Sequence, residues 1–87
     1  MDVILSKDAK KQYENLLRKD QVKILKKLSS LVTNPYAGKK LTGELKGLYS
    51  LRSWPYRILY EINSDEKRIE IHKIVHRQSV YSWITYI

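Results

Sequence analysis

The residues of this chain that are best suited to chemistry are cations within segments that otherwise have the composition of β-strands. Guanidinium is planar, always charged and able to bind phosphate through two hydrogen bonds, and imidazole titrates near neutral pH. Fixed cations beside a tyrosine, on stiff strands, are suited to a phosphate-rich polymer. The set consists of Lys46, Arg52, Arg57, His76, Arg77 and Tyr81.

The charge of the chain points to the same class of partner. Seventeen Lys and Arg against nine Asp and Glu give a formal charge of +8, which favours the binding of polyanions. Surplus lysine can also simply keep a small domain soluble. Residues 1–34 carry eight cations and four acids, whereas residues 39–60 carry five cations and one acid. The second block is harder to explain by solubility alone.

Several other function classes lack their sequence signals. The 87 residues predict one domain over 1–87, and the absence of cysteine excludes disulfides and thiolate metal sites. Neither a signal peptide nor a run of about 20 apolar residues is present, so we expect a cytoplasmic protein without a membrane partner. His72 and His76 would share a strand face about 13 Å apart. We therefore expect no metal and no cofactor.

The elements that must position the cations follow from periodicity and capping. Ser6 and Asp20 can each cap a helix, and Asn34 followed by Pro35 ends the second helix. The predicted fold is α+β, with two N-terminal helices on a mainly antiparallel four-stranded sheet in the order β-α-α-β-β-β. The predicted strands cover 1–5, 47–53, 56–63 and 68–75, the helices 7–18 and 21–33, a loop 36–47, and a short helix or last strand 79–87.

Alternation within the predicted strand 56–63 separates its two faces. Its even-numbered apolar residues point to the helices, and Arg57 points to the opposite, partly polar face. As a structural residue, Arg57 would pair across the ladder with Glu61 or Glu70. As a functional residue, it would clamp a phosphate. The residues alone leave both interpretations open.

Several short motifs resemble the RelE/ParE superfamily of bacterial and archaeal toxins. They are Leu-Arg at 51–52, Tyr-Arg-Ile-Leu-Tyr at 56–60, His-Arg at 76–77 and Val-Tyr at 80–81. The resemblance covers nearly the whole chain. The last two motifs look more like the RelE branch, whose members cut mRNA in the ribosomal A site. The resemblance implies a RelE-like microbial RNase fold and the toxin of a type II toxin–antitoxin system.

The resemblance also implies roles for individual residues. The nuclease would use the mRNA 2′-OH as nucleophile and leave a 2′,3′-cyclic phosphate, without a metal. Arg57 would stabilise the phosphate, with Arg77 as the second cation. His76 would serve as base or acid, and Tyr81 would orient the nucleotide or help the proton transfer. Lys40, Lys46, Arg52 and Lys73 would hold mRNA or ribosomal RNA.

Two features keep alternatives open. Some relatives carry lysines on the strand before the arginine, but residues 48–51 read Leu-Tyr-Ser-Leu, so the general base is not identified. A ParE-like toxin that inhibits DNA gyrase would have the same fold. A toxin-derived domain without activity is a third hypothesis. Both toxin hypotheses imply a cognate RelB-like antitoxin. The nuclease hypothesis also implies the ribosome and mRNA as partners.

Overall fold

The computed structural model describes residues 1–76, so Arg77, Tyr81 and the predicted segment 79–87 lie outside the described residues. None of the helices in the described part is long and apolar enough to cross a membrane. A short 3₁₀ turn at Gly43–Leu45 lies in the connection between the second and third strands. The elements are β1 Asp2–Leu5, α1 Lys7–Glu14, α2 Arg18–Thr33, β2 Lys39–Lys40, β3 Leu48–Ser53, β4 Tyr56–Asn63 and β5 Arg68–His76.

The strands form one sheet with the order β1-β5-β4-β3-β2. β1 runs parallel to β5, and the other neighbours are antiparallel. This confirms the predicted α+β class and the two N-terminal helices. The sheet has five strands rather than four because Lys39 and Lys40, inside the predicted loop, pair with Ser50 and Tyr49. A two-residue strand is too short to show a period in the sequence.

The start of α1 agrees with the sequence prediction, whereas the start of α2 does not. Ser6 caps α1, and its Oγ accepts a hydrogen bond from the Ala9 amide at 3.0 Å. Asp20 was predicted as the cap of α2, but the helix begins at Arg18 with Leu17 at the cap position. Asp20 lies in the first turn instead, where a carboxylate is favoured by the helix dipole. It is buried there beside the Tyr56 hydroxyl, at 3.4 Å.

The core lies between the helices and one face of the sheet. Alternation in β4 places Ile58 and Tyr60 there, as the sequence predicted, and both are fully buried. Burying aliphatic side chains of this size contributes about 1.5–3 kcal/mol each. The buried cluster is Ala9, Ile24, Leu28, Leu31, Leu51, Ile58, Tyr60, Ile69, Ile71 and Ile74.

Tyr60 ties the loop after α2 to this core. Its hydroxyl donates to the Pro35 carbonyl at 2.8 Å and accepts from the Gly38 amide at 2.9 Å. A Cβ at Gly38 would lie 2.6 Å from the Tyr60 hydroxyl oxygen, so the close approach requires glycine. Burial raises the pKa of Tyr60 above its ordinary value.

A β-bulge changes the alternation along β5. Leu59 pairs with Lys73, but the next residue, Tyr60, pairs with Ile71, so His72 is an extra residue on β5. A bulge of this kind re-aims side chains. His72 contacts Glu61 on the face away from the helices, whereas His76 pairs with Tyr56 on the helix side. The prediction that His72 and His76 share a face is therefore wrong, because a strict period of two assumes no bulge.

Candidate functional site

Arg52 and Arg57 lie directly opposite each other on β3 and β4. A two-residue turn at Trp54 and Pro55 fixes the register, which pairs Arg52 with Arg57. Directly opposed residues of an antiparallel ladder point to the same face, with their Cβ atoms about 4.5–5.5 Å apart. Their neighbour Leu51 belongs to the helix-side core. The two arginines, hereafter the arginine pair, therefore project from the opposite face, hereafter the outer face.

The arginine pair has no carboxylate partner within residues 1–76. The ion pairs of this region join Arg68 to Glu70, His72 to Glu61 and Lys73 to Asp8. The structural alternative, in which Arg57 pairs with Glu61 or Glu70, is therefore not observed. Like charges opposed on a ladder are destabilising by about 0.2–1 kcal/mol. An anion that binds both guanidinium groups would remove this repulsion.

The outer face next to Arg57 is apolar and buried. Val75 is the β5 neighbour of Arg57 and is 8% exposed, and Leu59 is 2% exposed. Arg57 itself is half-buried, and Arg52 is exposed. A guanidinium that borders apolar side chains is less screened by water than one in open solvent. Its attraction to a phosphate is correspondingly stronger.

Ser50 is a buried neighbour of the arginine pair that no sequence motif singled out. It lies two positions before Arg52, on the same face, and is 8% exposed. Its Oγ is buried without a hydrogen-bond partner among the described residues. Buried hydroxyls are normally satisfied, so an unpaired Oγ beside the arginine pair is an exception to that rule. The sequence indicates the orientation of Ser50 only through strand alternation, which places it on the same face as Arg52.

The four predicted RNA-binding cations are distributed over different surfaces. Arg52 belongs to the arginine pair, and Lys46 is exposed at the end of the 3₁₀ turn. Lys73 forms an ion pair with Asp8 of α1 at 3.5 Å. Lys40 pairs with Tyr49, which packs on the helix side, so the register places Lys40 away from the arginine pair. Lys39, opposite Ser50, is the β2 lysine that faces outward.

His76 is separated from Arg57 by the sheet. It pairs with Tyr56, and the two rings meet edge to face at 5.6 Å. The Tyr56 hydroxyl approaches Asp20 of α2, which places Tyr56, and with it His76, on the helix side. Burial and the Asp20 carboxylate raise the pKa of Tyr56. The predicted site placed His76 with Arg57, but the two residues lie on opposite faces of the sheet. Arg77 and Tyr81 lie outside the described residues.

A second cluster of polar groups occupies the other end of the outer face. Glu61 and Glu70 are direct partners across β4 and β5, and His72 Nε2 lies 3.0 Å from Glu61 Oε1. Glu70 Oε1 accepts from Asn63 at 3.3 Å and from Arg68 at 3.2 Å. Hydrogen bonds from Asn63 and Arg68 lower the pKa of Glu70. Two carboxylates and an imidazole form the set of described residues that is able to hold a metal ion.

Comparison with known sequences finds relatives among bacterial toxins. Residues 3–81 match the family model described as the ParE toxin of type II toxin–antitoxin systems, parDE. Toxin RelE of Mycobacterium tuberculosis is 40% identical over 52 residues, which are 59% of this chain and 54% of that protein. The match thus spans about half the length of this curated relative.

Solved structures share the fold. The RelBE2 toxin–antitoxin complex of Mycobacterium tuberculosis contains a chain with a TM-score of 0.81 and 27% identity, over 87% of this chain and 96% of that one. The archaeal RelE–RelB complex of Pyrococcus horikoshii gives 0.73 and 27%, over 87% and 93%. Isolated Escherichia coli RelE gives 0.74 over 98% and 95%, and at 24% identity it supports the fold alone.

Proposed function

The chain belongs to the ParE toxin family of type II toxin–antitoxin systems, in the RelE-like branch of the RelE/ParE superfamily, and from this we propose that it is a ribosome-dependent endoribonuclease that cuts mRNA in the ribosomal A site. The observation that supports the proposal is the arginine pair. Arg52 and Arg57 oppose each other on rigid strands without a described carboxylate partner. Such a pair fits a phosphate better than it fits an ordinary protein surface.

The proposed reaction is attack of the 2′-OH on the adjacent phosphate. A bond forms between O2′ and phosphorus while the bond between phosphorus and O5′ breaks. O2′ loses its proton to water and O5′ gains one from water, which leaves a 2′,3′-cyclic phosphate and a free 5′-OH. Negative charge grows on the non-bridging oxygens in the transition state. Arg57, beside buried Leu59 and Val75, would stabilise that charge, and Arg52 would hold the phosphate in place. Arg77 and Tyr81 are the further proposed groups, as second cation and nucleotide-orienting phenol.

In this proposal, none of the described residues paired with Arg57 acts as a general base. The neighbours of Arg57 across the ladders are Arg52 and Val75, and neither accepts a proton. The rate would therefore rest on charge stabilisation and on alignment of the 2′-OH by the ribosome. The proposal thus requires ribosomes and mRNA as partners and places the protein in the cytoplasm.

Cleavage of translated mRNA is the direct test. Full-length protein, freed of any antitoxin, is added to a translating extract, and primer extension maps breaks in a defined mRNA. We expect discrete cuts within codons, with 2′,3′-cyclic phosphate ends, and little cutting of the same RNA without ribosomes. Intact mRNA in the translating extract, with folded protein present, would contradict the proposal.

Replacement of His76 tests whether cleavage uses an imidazole as acid or base, or rests on charge stabilisation and alignment alone. Because His76 faces Tyr56 rather than Arg57, we expect His76→Gln to lower the cleavage rate by less than about tenfold, below the usual effect of losing an acid–base group. The rate is measured under single-turnover conditions from pH 5.5 to 8.5. A loss of about 100-fold or more, with disappearance of a titration near neutral pH, would return His76 to the catalytic set.

Inhibition of DNA gyrase is the second candidate function, and one observation favours it. The family model that matches residues 3–81 is described by the ParE toxin. In this alternative the outer face would bind a protein, and the arginine pair would not perform chemistry. A supercoiling assay with purified gyrase separates the two functions, because the proposed nuclease leaves supercoiling unchanged.

We also propose a RelB-like antitoxin as the cognate partner. The solved RelBE2 and RelE–RelB structures are complexes of a toxin with an antitoxin. On this chain, an acidic segment of the antitoxin would neutralise the arginine pair, because complementary charge favours both the encounter and the register of such complexes. Copurification of the product of a neighbouring reading frame would identify it.

A further inference from the structure

The cluster of Glu61, Glu70 and His72 has the composition and placement of a metal site. One oxygen from each carboxylate and one ring nitrogen of His72 all lie within 4.8 Å of one another. Zinc–ligand bonds of about 2.1 Å place tetrahedral ligand atoms about 3.4 Å apart. Small rotations of these partly exposed side chains would therefore bring the three ligand atoms within bonding distance of one ion. Glu70 Oε2 forms no hydrogen bond within residues 1–76, since Asn63 and Arg68 both contact Oε1.

The backbone brings these groups together in an unusual way. Glu61 and Glu70 oppose each other as like charges across β4 and β5, an arrangement that destabilises a ladder. His72 lies on the same face, two positions after Glu70, as strand alternation predicts. An imidazole next to two carboxylates suits Zn²⁺ and related divalent transition ions, whereas Mg²⁺ prefers oxygen ligands and water. A divalent ion would remove the repulsion between the carboxylates.

We propose that Glu61, Glu70 and His72 bind one divalent transition metal ion of the zinc class and thereby tie β4 to β5. A shallow pocket lined by Glu70 and His72, together with Ile4, Ser6 and Arg68, lies beside the cluster, and water in it would complete the coordination shell. Glu61 lies four residues from Arg57 along β4, about 13 Å away. The metal site is thus distinct from the arginine pair and independent of the proposed nuclease activity.

The test uses full-length protein without a histidine tag, titrated with ZnCl₂ by calorimetry and by thermal unfolding. We expect one ion per chain, a dissociation constant below about 100 µM and an unfolding midpoint raised by about 3 °C or more. His72→Gln and Glu61→Gln should each weaken binding at least about tenfold. The chain has two histidines and no cysteine, so His76→Gln is the matched control and should stay within about twofold of wild type.

Two further measurements separate metal binding from loss of fold. In the unmodified protein, Zn²⁺ should shift the imidazole NMR signals of His72 and leave those of His76 in place. Arg68→Gln removes a cation 3.2 Å from Glu70 Oε1 and should strengthen Zn²⁺ binding about threefold. No saturable binding by the unmodified protein, binding that His72→Gln leaves unchanged, or binding lost in His76→Gln would each overturn the site.

Discussion

Replacing Arg57 by glutamine is expected to lower single-turnover cleavage of ribosome-bound mRNA by about 10²–10³-fold, the usual effect of removing one donor that stabilises transition-state charge. The same change should not destabilise the fold, because it removes one of two like charges opposed across β3 and β4. Loss of activity at constant or higher stability is the signature of a residue kept for its ligand. Single-turnover rates and urea unfolding of the same preparations measure both quantities.

The matched control is Arg18→Gln at the start of α2, which removes the same charge from the helix side of the sheet. It should change both the rate and the stability only slightly. Arg57→Lys tests geometry, since it keeps the charge but loses the planar fork, and it should recover only part of the activity. Full activity in Arg57→Gln would exclude the arginine pair from the reaction. Equal losses in Arg57→Gln and Arg18→Gln would indicate a general effect of net charge.

Replacing Tyr60 by phenylalanine is expected to destabilise the protein by about 1–3 kcal/mol, the penalty for leaving a buried polar group unsatisfied. The change removes the acceptor of the Gly38 amide and the donor to the Pro35 carbonyl while the buried ring remains. In a domain of this size, each kcal/mol lowers the unfolding midpoint by about 4–8 °C. Thermal and urea unfolding measure the effect.

Tyr36→Phe is the matched control for this change, because Tyr36 is 60% exposed and loses the same hydroxyl. Its effect should stay within about 0.5 kcal/mol. If Tyr60→Phe were as stable as wild type, the two hydrogen bonds would contribute nothing, and the loop after α2 would be held by Tyr60 ring packing alone. The ring stacks on Tyr49 at 5.4 Å between centroids, a contact that phenylalanine preserves.

Much of the fold follows from local signals in the sequence. Ser6 caps α1 because its hydroxyl reaches the Ala9 amide, and alternation in β4 assigns Ile58 and Tyr60 to the core. Asp20 misled the placement of the α2 start, because a good capping residue is equally favourable inside the first turn. The two-residue β2 exists only through its pairing with β3, which no local pattern records.

The sequence identified the cations of the site but did not determine which of them lie together. Arg57 facing away from the helices follows from strand alternation, whereas its position opposite Arg52 requires the register that the two-residue turn sets. The bulge at His72 reverses the side on which His76 lies. His72, by contrast, shares the face of Glu70 through ordinary alternation, and the pairing of β4 with β5 brings Glu61 to it. Composition does not identify the bulge, so the side on which His76 lies needed coordinates.

The parallel pairing of β1 with β5 joins Asp2–Leu5 to residues 68–71, almost the whole described length of the chain apart. Closing so large a loop is entropically costly, so this pairing is expected to form late, after the β3–β4–β5 meander has assembled from neighbouring segments. Until then, β5 presents unpaired backbone groups along its free side, a template for association with other chains. Once paired, β1 is itself the edge strand of the sheet, and it has four residues where β5 has nine. We therefore expect association with other chains to decline as this pairing forms.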